Sequence, residues 1–322
     1  MNLDLLIENL KNPALLFFVL GLIAVYVKSD LKIPDTSSKF ISMYLLFSIG
    51  FNGGQELAHE KLSIEILWMV VLAIISAIVI PFYTFQILRR RMSVYDAGAV
   101  AASYGSVSAV TFITAAAYLE SMDMAMNGYM VAIMALMESP AIIAGLILIS
   151  IHNIDKSQTI KKRHAIKHSL TNGSVLLILG SLVIGYLASD EQAAGIEPFT
   201  TDLFKGFLAI FLLDMGLVSG SKMQSLINKG WYPIAFAIII PLINGCIFAV
   251  LTAFVSDDVT NRFIFAVLAA SASYIAVPAA MKVTVPKANP GLFLPMALAV
   301  TFPVNITIGL PIYLGIVQNF NV

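Results

Sequence analysis

Apolar residues in this chain run in long uninterrupted blocks rather than in the 3.6-residue stripe of a water-facing helix or the alternation of a half-buried strand. Runs without any charged residue cover 66–88, 97–119, 169–189, 230–256 and 288–322. At 1.5 Å rise per residue, about 20 such residues cross the roughly 30 Å hydrocarbon layer of a bilayer, so each can span alone. Shorter or singly interrupted runs lie at 12–27, 40–55, 124–151 (broken by Glu138), 206–221 (broken by Asp214) and 263–281. The pattern predicts an all-α membrane protein of ten transmembrane helices.

Composition points the same way. Of 322 residues, 59% are hydrophobic and 12% charged, and the mean hydropathy is +0.88. A soluble domain carries roughly 25% charged residues, so this chain cannot cover a water-facing surface of normal size. The acidic start MNLDLLIENLKN lacks the basic region of a cleaved signal peptide. Cys246 stands alone within an apolar run, and His59, His152, His164 and His168 show no metal-ligand spacing. A formal net charge of zero gives no reason to expect a nucleic-acid partner.

The distribution of charge is more informative than its sum. Alternate connections hold Lys28, Lys32 and Lys39; Arg89, Arg90 and Arg91; Lys156, Lys161, Lys162, Arg163 and Lys167; Lys222 and Lys229; and Lys282 and Lys287. The other set keeps Lys11, Lys61, Lys205 and Arg262 and most of the acids, among them Glu56, Glu60, Glu120, Asp190, Glu197 and Asp258. The excess of basic residues in cytoplasmic loops then puts both termini outside and loop 152–168 inside an inner (plasma) membrane. The basic run IKKRHAIKH at 160–168 reads as an orientation signal and solvated linker, with a docking site for a cytoplasmic regulator as the alternative.

That linker divides the chain into 1–151 and 169–322, five spans each, and odd-numbered halves must point in opposite directions. GLIAVYVKSD at 21–30 resembles GSLVIGYLASD at 180–190, and SIGFNGGQEL at 48–57 resembles DMGLVSGSKM at 214–223. AVAASYGSVSAV at 99–110 resembles AVLAASASYIAVP at 266–278, and MESPAI at 137–142 falls opposite VTFPVN at 300–305. Four similarities in the same order predict inverted repeats, a hallmark of secondary transporters, with residues 14–150 and 173–317 superposing after a rotation of about 180° in the membrane plane.

Spans four and nine are small and hydroxyl-rich at mid-span, where lipid-facing helices would show Leu, Ile and Phe. Close helix packing is one use of such residues. The other is a broken helix, expected at 103–108 and 271–276, with Pro278 withholding an N–H and disfavouring helical geometry at Val277. Half-helix N-termini present free N–H groups and a positive dipole end, which suits a small oxyanion. The hydroxyls of Ser103, Ser106, Ser108, Thr111, Ser271 and Ser273, with unwound carbonyls, suit a cation such as sodium. Glu138 is expected to be functional, because a mid-span carboxylate needs a cation or a proton; Pro140, two residues on, is a further candidate break. Asp214 falls near the end of its predicted span, and Asp96 reads as an interfacial cap.

Over nearly its whole length the chain resembles the cyanobacterial sodium-dependent bicarbonate transporters. The resemblance rests on IGFNGG at 49–54, YGSVSAVT at 104–111, MESPA at 137–141, AASASYIAVPAAMK at 269–282, PKANP at 286–290 and GLPIYLG at 309–315. It implies a ten-helix protomer with a mobile core and a gate domain, usually trimeric, importing bicarbonate with sodium by an elevator-type motion. By position it places Gly105, Ser106, Val107, Ser108, Ser271, Ala272, Ser273 and Tyr274 around the anion, and Ser103, Ser108, Thr111, Glu138 and Ser273 around the cation. It also implies a cytoplasmic regulator of the PII type, and no cofactor beyond sodium as the coupling ion. The chain departs from the family's pattern at four positions: Tyr274 replaces an acid, Ala276 and Val110 replace serines, and Glu138 replaces a shorter Asp.

A transporter of a different organic anion, or a proton-coupled exchanger of the same fold, is the alternative that the loss of the acid at Tyr274 favours. The sequence holds no HExxH, no GxSxG and no paired aspartates at catalytic spacing, so no enzyme is expected. A channel would need a continuous polar stripe, whereas polarity here is concentrated at one depth.

Overall fold

A computed structural model describes residues 12–60, 63–152 and 173–320; the basic linker and both extreme termini lie outside the described residues. The described residues are mostly helical, with no strand among them, and the apolar runs dictate it: in hydrocarbon every backbone N–H and C=O must be paired within its own segment or against protein. The helices are α1 (Pro13–Tyr26), α2 (Asp35–His59), α3 (Ile64–Leu88), α4 (Val94–Gly105), α5 (Ala109–Glu120), α6 (Tyr129–His152), α7 (Gly173–Leu187) and α8 (Asp190–Ala194). Then come α9 (Phe204–Ile227), α10 (Trp231–Leu251), α11 (Val259–Ala270), α12 (Ala276–Thr284) and α13 (Pro290–Asn319). Within α13 the turns Met296–Thr301 and Asn305–Gly309 are π-helical.

Six segments are long and apolar enough to cross a membrane: 64–88, 94–120, 129–152, 198–227, 231–254 and 290–319. α1 and α11 are apolar but shorter. α3 and α10 turn much of their surface outward, with Leu67, Trp68, Ile75, Ile78 and Phe82 exposed on one and Ile239, Ile243 and Ile247 on the other. Lipid solvates such faces. The 94–120 segment is the opposite case, 89% buried in its apolar window.

Two helix pairs cross outside this core, and glycines set their spacing. α1 lies on α9, where a Cβ on Gly21 would stand 2.9 Å from the Cα of Gly216. α2 lies on α7, where a Cβ on Gly54 would stand 2.9 Å from the Cα of Gly185. Only glycine lets the backbones approach that closely.

The polar ends of the helices converge by sign. At one end Gly128 N–H donates to Glu60 (2.9 Å), Asn261 to Asn127 (2.9 Å) and Ser256 to Glu65 (2.5 Å). At the other, Arg91 stacks on Tyr232, Lys287 stacks on Tyr95, and Asn289 N–H donates to Asp96 at 2.8 Å. Asp96 also closes the first turn of α4, where its N–H donates to the Ser93 hydroxyl at 3.1 Å.

Three sequence expectations are corrected. α6 runs unbroken through Pro140, held between α3 and α4. Pro278 does not break a helix: it occupies the third position of α12, where a missing N–H costs nothing because the first turn has no intrahelical acceptors. Asp214 lies in the middle of α9, buried, and accepts a hydrogen bond from Ser38 of α2.

Candidate functional site

The two interrupted segments meet at their breaks. α4 ends at Gly105; Ser106 and Val107 follow, and Ser108 caps α5 by accepting the Thr111 N–H at 3.2 Å. α11 ends at Ala270, and residues 271–275 are non-helical before α12. Three residues interrupt one segment and five the other. Serine is suited to both places, since its hydroxyl satisfies backbone groups that a helix would otherwise pair.

Those hydroxyls join the breaks to each other. Ser273 N–H donates to the Ser103 carbonyl (2.8 Å), while the Ser103 hydroxyl donates back to the Ser273 carbonyl. Ser108 N–H donates to the Ser271 hydroxyl (2.9 Å), which itself donates to the Leu268 carbonyl (2.8 Å). Asn305, in the second π-helical turn of α13, donates to the Ala270 carbonyl at 2.7 Å and accepts from Tyr313 at 2.9 Å, closing the C-terminal end of α11. Gly105 is required where it stands, because a Cβ there would collide with the ring of Pro81 in α3.

A small cavity of ≈ 20 Å³ remains between the breaks, lined by Val107, Ser108, Ala109, Glu138, Ser273, Tyr274, Ile275, Ala276 and Leu46. Ala109 and Ala276 open α5 and α12, so both half-helices direct their N-termini and positive dipole ends at this space, with the Ser108 and Ser273 hydroxyls accepting the Thr111 and Val277 N–H groups. Glu138 enters from α6 and adds the carboxylate. Its Oε1 is buried without a hydrogen-bond partner, and so is the hydroxyl of Ser106. Buried polar atoms are almost always paired, so the orphaned Glu138 oxygen, the one of the two that lines the cavity, points to a ligand or proton that belongs there.

Of the predicted site residues, Val107, Ser108, Ser273, Tyr274 and Glu138 line this cavity. Ser103 and Ser271 instead hold the breaks together. Gly105, Ser106, Thr111 and Ala272 are buried beside it and do not line it. Leu46, Ala109, Ile275 and Ala276 do line it, and sequence reasoning passed them over because nothing polar marks them. Tyr274 packs edge-on against Phe302 and donates toward the Met215 sulfur at 3.8 Å, linking the second break to α9.

A larger cavity of ≈ 410 Å³ opens at the acidic end, with Glu56, Glu120, Asp190 and Glu197 in its walls. Its walls include Ile49, one turn from Leu46 on α2. Among the described residues no group of three His, Cys, Asp or Glu side chains is arranged to hold a metal ion.

No curated protein matches the chain. A family profile does, over residues 13–318, which takes in both breaks, Glu138 and the glycine crossings. The helical, membrane-spanning architecture and that match together assign the chain: it belongs to the Na+-dependent bicarbonate transporter superfamily.

Proposed function

We propose that this protein is a secondary active transporter that imports bicarbonate, or a similarly small anion, together with sodium, and that the cavity between the breaks is its central site. One observation carries the reading: two half-helix N-termini and a half-buried carboxylate with one buried, orphaned oxygen converge on a single cavity. Helix N-termini favour the anion, and the carboxylate favours the cation, so each ligand lowers the electrostatic cost of the other. Val107, Ser108, Ser273 and Tyr274 contact the anion in this reading, with Gly105, Ser106, Ser271 and Ala272 behind them. Glu138, Ser108 and Ser273 take the cation, with Ser103 and Thr111 as further oxygen donors. The cavity has room for about one water-sized particle, so a four-heavy-atom anion requires Tyr274 or Leu46 to withdraw.

The architecture proposed is ten spans in two inverted repeats, 1–151 and 169–322, joined by the 152–168 linker. The crossing contacts support it. Aligning Tyr26 with Tyr186 sets Gly21 opposite Ser181 and Val25 opposite Gly185; aligning Gly50 with Gly216 sets Gly54 opposite Gly220. Gly21 meets Gly216, and its counterpart Ser181 meets Gly50; Gly54 meets Gly185, and its counterpart Gly220 meets Val25. An internal two-fold axis requires such matched pairs. In this arrangement α1, α2, α7 and α9 form a frame against which the bundle carrying the breaks moves as an elevator. Both termini face outward, and a homotrimer with a PII-type cytoplasmic regulator completes the proposal.

A proton-coupled mechanism is the second reading. Glu138 offers a protonatable oxygen, and Tyr274 stands where an acid was expected. Uptake of labelled bicarbonate into proteoliposomes, with and without a sodium gradient, separates the two. With sodium coupling, Glu138→Gln raises the sodium concentration for half-maximal uptake by roughly ten- to a hundredfold, the worth of one charge-assisted contact. With proton coupling, the same substitution abolishes the pH dependence of uptake instead. Wild-type uptake by Glu138→Gln at every sodium concentration and pH removes Glu138 from the site.

A further inference from the structure

Apart from the central site, the described residues enclose an apolar groove of ≈ 210 Å³ between the frame helices α1 and α9 and the bundle helices α5 and α13. It has a polarity gradient. Asn12, Ser121 and Lys205, at the ends of three helices, form its rim; Pro13, Ala117 and Ala209 give it accessible apolar wall. Leu15, Leu212 and Leu310 close the wall behind them and are buried. An apolar cavity stays dry and forfeits the contacts its lining would otherwise make, so a volume of this size calls for an apolar occupant.

We infer that the groove binds one phospholipid, its acyl chain against Pro13, Ala117 and Ala209 and its phosphate on the Lys205 ammonium. The surrounding solvent is itself acyl chain, and Lys205, exposed near the start of α9, offers a cation to a phosphate. Glu120 lies near Lys205 from the neighbouring cavity. An ammonium has three donors, so it serves a carboxylate and a phosphate together. Because the groove is walled by frame and bundle alike, its occupancy depends on their relative position. The inference requires only that the chain is a membrane protein, not that it carries bicarbonate.

Native mass spectrometry and thermal unfolding of the full-length protein in alkyl maltoside test it, with phosphatidylglycerol and a diacylglycerol of the same chains as probes. The wild type retains one phosphatidylglycerol and unfolds several degrees higher with it, and it retains the diacylglycerol at least tenfold less. Ala209→Phe, which fills the groove from its α9 wall, abolishes retention and unfolds without lipid as high as the loaded wild type. Lys205→Gln weakens retention about tenfold and leaves lipid-free unfolding unchanged. Equal retention of both probes, or undiminished retention by Ala209→Phe, overturns the proposal. So does a marked gain in retention when Met1–Lys11 is deleted, which makes the chain's own first residues the occupant.

Discussion

At the scale of single residues, carboxylates separate by environment. Glu138 has the breaks for neighbours, whereas Glu60 lies at the acidic end beyond α2, where burial pushes its carboxyl above the ordinary range. The Gly128 N–H and the Asn127 side chain hold it down in part; Glu56 and Asp258 push it further up. The sign follows from linkage. A carboxyl whose folded pKa lies above its unfolded value binds its proton more tightly when folded, so its ionisation penalises the folded state above the folded pKa. That penalty disappears below the unfolded pKa, about 4.3 for Glu. Glu60→Gln keeps the acceptor for Gly128 and removes the charge, so it should raise the unfolding temperature by a degree or two at pH 7 and leave it unchanged at pH 4. Circular dichroism melts at both pH values check this, and an unfolding temperature lowered at pH 7 would contradict it. Polar residues at mid-span were visible in the sequence, but their division of labour was not. Nothing in AASYGSVSAVT or AASASYIAVP distinguishes Ser103 and Ser271, which hold the breaks together, from Ser108 and Ser273, which also face the cavity.

At the scale of elements, helix existence was legible from apolar runs, and helix interruption from small, hydroxyl-bearing stretches. The interruptions are governed by packing more than by proline. Pro140 and Pro278 sit in continuous helices, one in mid-helix and one in the first turn, while the breaks occur where serines on one chain segment offer partners to the other. The glycine crossings are the complementary case, since their cost is steric. Gly54→Val places a branched side chain against the Leu182 carbonyl and the Gly185 backbone. Overpacking of this kind costs about 2 kcal/mol. The variant should melt several degrees below wild type, whereas Gly173→Ala, with open space around it, should melt as wild type does. Equal melting of the two would show that the α2–α7 crossing does not need its glycine.

At the scale of the whole molecule, charge distribution and packing give separate predictions. With Cys246 replaced by alanine, a cysteine at Glu191 should react with an impermeant maleimide in intact cells, and one at Ser225 should react only after permeabilisation. Both positions are exposed, so access through the membrane is the remaining variable. Reaction at Ser225 in intact cells would reverse the proposed orientation. The sequence by itself determined the membrane solvent, the helical class, the two interruptions and the placement of a carboxylate at mid-span. Each follows from transfer free energy or local backbone preference, which act over a few neighbouring residues. Only the tertiary structure decided that Glu138 and the starts of α5 and α12 share one cavity. It also decided that Gly21 meets Gly216 while Gly54 meets Gly185, and that an apolar groove opens beneath Lys205. Those are contacts across tens to hundreds of residues, set by which apolar surfaces fit together, and a local pattern of polarity does not encode that fit.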